Sequence, residues 1–272
     1  MNDKGTPLNA SAVNIYLVDW LKKYAEQAGV DGFVVGVSGG VDSALTAVLC
    51  AQTGLPTACI EMPIHQPQSH VDRAWEGIHN LKERFSKVEG FRVDLTHTFD
   101  MHCSALGLDA SNPMTHLALA NTRSRLRMTT LYAHAQTRRA LVVGTGNKIE
   151  DFGVGFFTKY GDGGVDISPI ADLTKSEVYL LARFVGVSES ILNAPPSDGL
   201  WHDDRSDEDQ MGASYPELEW AMEERSRGIA HSPEWSTRQQ EVMAIFVRLN
   251  GANQHKMCPI PVATLPENVR NA

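Results

Sequence analysis

The fold is decided by one stretch of the chain, Phe33-Val34-Val35-Gly36-Val37-Ser38-Gly39-Gly40-Val41-Asp42-Ser43-Ala44-Leu45-Thr46. Its first five residues are apolar and rich in valine, a pattern typical of a strand that is buried on both faces of a parallel sheet. The two glycines that follow permit a tight turn in which backbone N–H groups approach a ligand closely. A helical pattern begins at about Asp42. Together these parts predict an anion site, because unpaired amides and the positive end of the helix dipole meet there.

The carboxylate of Asp42 limits which anion this site can take. A carboxylate repels phosphate unless a cation lies between them, so the stretch indicates phosphate together with Mg²⁺. The commoner phosphate-binding loop is excluded because no Gly-Lys-Ser/Thr follows the glycines, and the glycine spacing of the dinucleotide-binding fingerprint is absent.

Outward from this stretch, strand and helix patterns alternate along the chain. Further strands are predicted at residues 57–62, 90–95, 140–145 and 167–170, and helices at residues 11–27, 113–136, 174–185, 215–227 and 234–249. This alternation predicts an α/β fold that is doubly wound, with a mainly parallel five-stranded sheet and helices on both faces. Ligands of such sheets bind at the carboxyl ends of the strands, where the glycine turn lies.

Composition excludes several classes of function. The 272 residues include 24 Lys and Arg against 33 Asp and Glu, and the net charge of −9 argues against a nucleic-acid partner. No apolar run reaches the roughly 18 residues of a membrane span, and the first residues do not have the pattern of a signal peptide. The four cysteines form no CxxC pair and are typical of free thiols, although a disulfide stays open. We therefore expect a cytoplasmic protein.

Several motifs resemble those of known enzymes. The run Ser38-Gly39-Gly40-Val41-Asp42-Ser43 resembles the pyrophosphate loop (PP-loop) of the N-type ATP pyrophosphatases, which cleave ATP between its α and β phosphates. Other runs resemble NAD synthetase, in that family's order: Asn121-Thr122-Arg123-Ser124-Arg125-Leu126-Arg127-Met128, Gly144-Thr145 with Glu150, Gly155-Phe156-Phe157-Thr158-Lys159-Tyr160-Gly161-Asp162-Gly163-Gly164, Leu173-Thr174-Lys175 and His255-Lys256. The chain is thus identified as similar to the ammonia-dependent NAD synthetases, with a single adenine nucleotide alpha-hydrolase-like domain over residues 1–272.

The resemblance implies a reaction. These enzymes use ATP to adenylate the nicotinate carboxylate of deamido-NAD and release pyrophosphate; ammonia then displaces AMP, and NAD forms. It implies catalytic roles for Asp42 and Lys175, and Mg²⁺ binding by Asp42 and Glu150. The implied ATP site is Gly36, Val37, Ser38, Gly39, Gly40, Val41, Asp42, Ser43, Thr145, Lys175 and Ser197. The implied deamido-NAD contacts are Arg125, Lys159, Asp166, His255 and Lys256. The cationic groups among them suit a pyrophosphate. Without the resemblance, the arginines of residues 121–128 are interpreted as a solvated basic face.

The chain departs from the family pattern at a few positions. Ser197 lies where the family usually has threonine, and the segment after Glu150 is one residue longer than in many ammonia-using members. An acidic run within residues 201–210 corresponds to a region that closes over substrate in relatives, so a mobile lid is predicted at residues 195–212. Relatives are dimers, and residues 113–136 are the candidate surface for a homodimer.

Two other classes of function are compatible with the pyrophosphate loop alone. Another ligase with the same loop, such as a GMP, asparagine or tRNA-modifying enzyme or one acting on nicotinate mononucleotide, leaves residues 156–164 unexplained. In a non-catalytic nucleotide-binding module, Asp42 and Glu150 together would be superfluous. None of the cysteines (Cys50, Cys59, Cys103 and Cys258) lies in a nucleophile-like setting, so we expect ammonia rather than glutamine as the nitrogen donor.

Overall fold

The computed structural model describes residues 8–196 and 206–270. In chain order its elements are α1 Ala10–Ala28, β1 Gly32–Gly36, α2 Val41–Gln52, β2 Thr57–Glu61, α3 Gln68–Arg84, β3 Val88–Arg92, α4 Thr96–Leu106, α5 Met114–Arg138, β4 Ala140–Val143, a π-helix Ile149–Val154, α6 Lys175–Phe184, α7 Glu189–Leu192, α8 Asp207–Met211, α9 Tyr215–Ser226, α10 Thr237–Met257 and α11 Glu267–Arg270. Ser197 and half of the predicted lid, residues 197–205, lie outside the described residues.

The four strands are parallel and lie in the order β3-β2-β1-β4. The chain therefore adds β2 and β3 on one side of β1 and returns to place β4 on the other side. In doubly wound sheets, this reversal of direction opens a crevice at the carboxyl ends of the two strands on either side of the reversal point, here β1 and β4. Here those ends lead into the glycine turn after β1 and into residues 144–150 after β4.

Helices cover both faces of the sheet. Phe33 and Val35 of β1 pack in one cluster with side chains of α1, α2 and α6, whereas Val34 between them packs in another with Ala135 of α5. Successive side chains of a strand point to opposite faces, so a strand that is apolar throughout requires helices on both sides. The predicted doubly wound α/β architecture is confirmed.

The predicted fifth strand is reduced to a single parallel bridge between Ile167 and Val143. The amide of Ile167 donates to Val142 at 3.4 Å, and Gly144 donates to Ile167 at 2.7 Å. Continuing the ladder requires an N–H at residue 169, which is a proline and has none. The sheet of the described residues therefore has four strands, and the prediction of five is wrong by one.

The last long helix extends beyond its predicted end at residue 249. Helix α10 runs through Gly251 to Met257, although glycine weakens helix interiors. The side chains of Asn250, Asn253 and Lys256 donate to the main-chain carbonyls of residues 153, 154 and 157 at 2.7, 2.8 and 2.7 Å. These tertiary bonds, invisible in a periodicity pattern, stabilise the additional turns and fix α10 beside the π-helix.

A third apolar cluster lies beyond the sheet and joins α9, α10 and the π-helix. Its buried members include Ile149, Val154, Leu218 and Phe246. Through this cluster the π-helix is held at the end of β4. Within the described ranges, no helix is long and apolar enough to cross a membrane.

Candidate functional site

The glycine turn is braced by its two serines. The Oγ of Ser43 accepts from the amide of Ser38 at 3.2 Å and donates to the carbonyl of Gly40 at 3.0 Å, and the two hydroxyl oxygens are 3.2 Å apart. Gly39 has a φ of 84°, and a Cβ there would lie 2.9 Å from the carbonyl oxygen of His70. Only glycine fits this turn. Helix α2 then starts from Gly40, which has no side chain to cap it, so its first amides face the crevice.

Two carboxylates and one ammonium meet beside this turn. Lys175, the first residue of α6, has its Nζ 2.6 Å from Oδ2 of Asp42 and 3.2 Å from Oε1 of Glu150. All three side chains are largely buried. Burial opposes the charge of Lys175, but the carboxylates of Asp42 and Glu150 outweigh it and raise its pKa. The pKa of Glu150 is raised, chiefly by burial, and Lys175 opposes that shift. The cluster has one negative charge in excess, which favours a further cation.

Sequence reasoning missed Asn147, which orients both carboxylates. It is completely buried, and its Nδ2 donates to Oδ1 of Asp42 at 3.1 Å. Its Oδ1 accepts from the amides of Ile149 and Glu150 at 3.1 and 3.2 Å. Asparagine side chains in turns typically accept hydrogen bonds from amides two and three residues ahead. An asparagine in the turn after β4 is therefore the sequence signal that could have identified this residue.

Glu150 lies on the π-helix Ile149–Val154. A π-helix is rare, absorbs one residue more per turn than an α-helix, and occurs often at functional sites. Here it carries Glu150 into the crevice and ends at Gly155, whose φ is 65°. Burial, together with the charges of Glu150, Asp162 and Asp42, raises the pKa of Asp151 to about 8. Sequence patterns give no signal for this element.

A cavity of about 270 Å³ connects these groups. Of the residues predicted to bind ATP or Mg²⁺, those lining it are Gly36, Val37, Ser38, Gly40, Val41, Asp42, Ser43, Thr145, Glu150 and Lys175. Gly39 packs against α3 instead. Sequence reasoning missed two charged lining residues, Glu61 and Arg127. Glu61 accepts from Arg92 at 2.6 Å, and Arg127 donates to the carbonyl of Met62 at 3.0 Å.

The two NAD synthetase-like motifs in the middle of the chain meet in space. Oδ1 of Asp162 accepts from the hydroxyl of Ser124 on α5 at 2.6 Å and from the amide of Thr158 at 3.0 Å. The hydroxyl of Thr158 donates to Asn121 at 2.6 Å. A Cβ on Gly161 would lie 2.3 Å from Oγ of Ser124, so the glycine permits this close approach. The glycine-rich segment is thus fastened to α5 at the mouth of the cavity.

Four of the five residues predicted to bind deamido-NAD form a second group beside that segment. Lys159 donates to the carbonyl of His255 at 2.7 Å, and Lys256 donates to the carbonyl of Phe157 at 2.7 Å. The Nε and Nη2 of Arg125 each lie 3.4 Å from the carbonyl oxygen of Lys159. Asp166 lies apart from them: its oxygens accept from Tyr132 at 3.0 Å and from the amide of Val142 at 2.8 Å, which joins α5 to β4.

Three of the four cysteines, Cys50, Cys59 and Cys103, have thiols that burial disfavours as thiolates. All four lie among the described residues and are free, and Cys50 and Cys59 are completely buried. Burial raises the pKa of Cys59 to about 12 and also raises the pKa of Cys50 and of Cys103. These three thiols are thereby held in the protonated form, which is not nucleophilic.

The chain was compared with known proteins. It matches the family model described as NAD synthase over residues 13–259. An NH(3)-dependent NAD(+) synthetase of Syntrophomonas wolfei is 39% identical over 268 residues, which are 97% of this chain and 100% of that protein. Another, of Mycoplasmopsis pulmonis, is 43% identical over 206 residues, covering 75% and 76% of the two chains. Among solved structures, an NMN synthetase from Francisella tularensis is 30% identical with a TM-score of 0.79, covering 96% and 99%. The chain belongs to the NAD synthase family.

Proposed function

We propose that this chain converts deamido-NAD to NAD by ATP-dependent amidation, with ammonia as the nitrogen donor and with AMP and pyrophosphate as the other products. One observation carries the proposal. Asp42 and Glu150 converge on Lys175 beside a glycine turn, at the reversal point of a parallel sheet. A free carboxylate is a poor electrophile, so amide formation requires a phosphoanhydride leaving group, which such a site can handle.

The nucleotide-binding roles follow from position. The first amides of α2 and the hydroxyls of Ser38 and Ser43 bind the ATP phosphates. Lys175 is released from its carboxylates to contact a phosphate, and Thr145 contributes from the end of β4. The carboxylate of deamido-NAD attacks the α-phosphorus, pyrophosphate leaves, and ammonia then attacks the adenylated carbonyl as AMP leaves. Holding these groups in line is the main work of the site.

The donor set of Asp42 and Glu150 fits Mg²⁺. Magnesium sites on nucleotide enzymes use one or two carboxylates together with substrate phosphates and water. Here two buried carboxylates already share a cation, the Lys175 ammonium, and their charge is not fully compensated. When bound, Mg²⁺ neutralises charge on the phosphates and the leaving pyrophosphate. Ser197, whose structure is not described, stays a predicted ATP contact, and the lid at residues 195–212 stays a prediction.

The second group supplies the deamido-NAD contacts. Arg125, Lys159 and Lys256 bring cations to one region of the surface, with His255 beside them, and binding a pyrophosphate there replaces the carbonyl contacts of the two lysines. Asp166 is the fifth proposed contact. We also propose a homodimer through α5, and a single NAD synthetase domain. A cytoplasmic location is supported by the free state of all four thiols.

The test is an assay of the purified chain with ATP and Mg²⁺. Deamido-NAD and nicotinate mononucleotide are compared as acceptors, and ammonium and ammonia-free glutamine as donors, while AMP, pyrophosphate and amide product are measured. We expect equal amounts of AMP and NAD from deamido-NAD and ammonium, and no product from glutamine. A clear preference for nicotinate mononucleotide, or AMP release that does not depend on any acceptor, would overturn the proposal.

A further inference from the structure

Tyr215 contacts the metal-binding carboxylate from a distant part of the chain. It is the first residue of α9 and is almost completely buried. Its hydroxyl donates to Oε1 of Glu150 at 2.6 Å, across 65 residues of sequence. The short distance is typical of an O–H bonded to a charged carboxylate.

The ring of Tyr215 also supports the ammonium beside it. The Nζ of Lys175 lies 4.7 Å from the ring centroid, within the range of a cation–π contact. The same Nζ lies 3.2 Å from Oε1 of Glu150, so this one oxygen accepts from both the tyrosine and the lysine. Tyr215, Glu150 and Lys175 thus form a closed triangle in which each member contacts the other two.

The hydroxyl is held in place by the start of α9. Ser214 caps the helix through a capping box with Glu217. The carboxylate of Glu217 also accepts hydrogen bonds from Nε and Nη2 of Arg238 on α10, at 2.7 and 2.8 Å. The amide of Tyr215 donates to Glu208 at 2.9 Å. These contacts fix the backbone at Tyr215, and from this point its hydroxyl reaches Glu150 on the π-helix.

We propose that Tyr215 is a positioning residue for the divalent cation, because its hydroxyl fixes the orientation in which the Glu150 carboxylate meets Asp42. The inference rests on the proposed function, which makes Glu150 a metal ligand. Hydrogen bonds from outside the ligand set commonly orient metal-binding carboxylates, and their loss typically weakens metal affinity by about 10- to 100-fold. Tyr215 itself touches neither the metal nor the substrate in this proposal.

The experiment measures metal affinity directly. Binding of Mn²⁺ to the full chain saturated with α,β-methylene-ATP is followed by electron paramagnetic resonance of the free ion, for the wild type and Tyr215→Phe. The phenylalanine keeps the buried ring and its contact with Lys175, and urea unfolding checks that the variant is folded. We expect Mn²⁺ to bind about tenfold more weakly to Tyr215→Phe. Tyr132→Phe removes a comparable tyrosine–carboxylate bond, to Asp166, and should leave Mn²⁺ affinity unchanged.

A double-mutant cycle separates this role from general destabilisation. If Tyr215 acts through Glu150, Tyr215→Phe should weaken Mn²⁺ binding in the wild type but change it less than twofold in a Glu150→Gln background. Wild-type affinity in Tyr215→Phe, or an equal loss in both backgrounds, would overturn the inference alone. Full Mn²⁺ affinity in Glu150→Gln would overturn the metal assignment in the proposed function, and this inference with it.

Discussion

At the scale of single residues, each buried charged group of the site is stabilised by specific hydrogen-bonding and ionic partners. An uncompensated buried charge is costly, whereas one that is paired and hydrogen-bonded is tolerated. One carboxylate oxygen of Asp42 accepts a hydrogen bond from Lys175, and the other accepts one from Asn147. Glu150 accepts hydrogen bonds from Lys175 and Tyr215. These partners stabilise both carboxylates, although the single ammonium of Lys175 does not balance their two charges.

Asp151 provides a prediction of pH dependence at this scale. Its pKa is about 8 in the folded chain, against about 3.9 for an unfolded aspartate. Between these values the folded state binds a proton that the unfolded state does not. The free energy of unfolding therefore falls as pH rises from about 4 to 8, by at most about 1.4 kcal/mol per pH unit. Asp151→Asn removes this contribution, so the variant should gain stability relative to the wild type as pH rises.

Urea unfolding at pH 5, 6.5 and 8 measures the difference between the two curves. The control is Asp72→Asn, which changes an exposed carboxylate on α3 and should follow the wild-type curve at every pH. Parallel curves for the wild type and Asp151→Asn would show that the carboxyl of Asp151 is ionised throughout, and would contradict the prediction.

At the scale of elements, the site is assembled from the ends of helices and strands. Lys175 reaches the carboxylates because α6 begins at that residue, and Thr174 fixes the start with a capping box in which Glu177 completes the reciprocal bond. Thr174 and Glu177, three residues apart at the start of the helix predicted at residues 174–185, form the sequence signature of such a cap. Thr174→Ala should lower the free energy of unfolding by about 1 kcal/mol and raise the KM for ATP severalfold, because the first turn that carries Lys175 loosens.

Ser236→Ala is the matched control for that prediction. Ser236 caps α10 with an equivalent capping box, away from the cavity. Ser236→Ala should lower the free energy of unfolding by an amount similar to that of Thr174→Ala and leave the KM for ATP unchanged. Urea unfolding and steady-state kinetics on both variants test the pair, and an equal rise in KM for both would mean that the cap of α6 has no particular link to the site.

At the scale of the whole molecule, α4, α5 and the connection between them expose large apolar side chains, namely Met101, Leu106, Leu108, Met114 and Leu117. Contiguous exposed apolar patches mark interaction surfaces, so we predict that these residues lie in the homodimer interface. Light scattering at micromolar concentration should give twice the chain mass of 29.8 kDa. Leu117→Glu should shift the protein to monomer because it buries a charge in the interface, whereas Leu180→Glu on the exposed face of α6 should not. A wild type that is monomeric and fully active would contradict the prediction.

The sequence by itself determined the parts of this protein that depend on neighbours in the chain. The strand, glycine turn and helix of residues 33–46, the cap of α6 and the parallel α/β alternation follow from apolar periodicity, glycine conformation and capping, all of which act over a few residues. The position of the crevice follows too, because parallel strands place their carboxyl ends at one edge.

Only the tertiary structure decided what meets across long separations. The loss of the fifth strand depends on the register that pairs Ile167 with Val143, because in this register the next ladder hydrogen bond would have to come from Pro169. The π-helix after β4, the length of α10 and the contact of Tyr215 with Glu150 depend on how the cluster beyond the sheet packs. Such contacts arise from packing and from pairing of buried polar groups between distant segments, and a periodicity pattern holds no record of which segments will be neighbours.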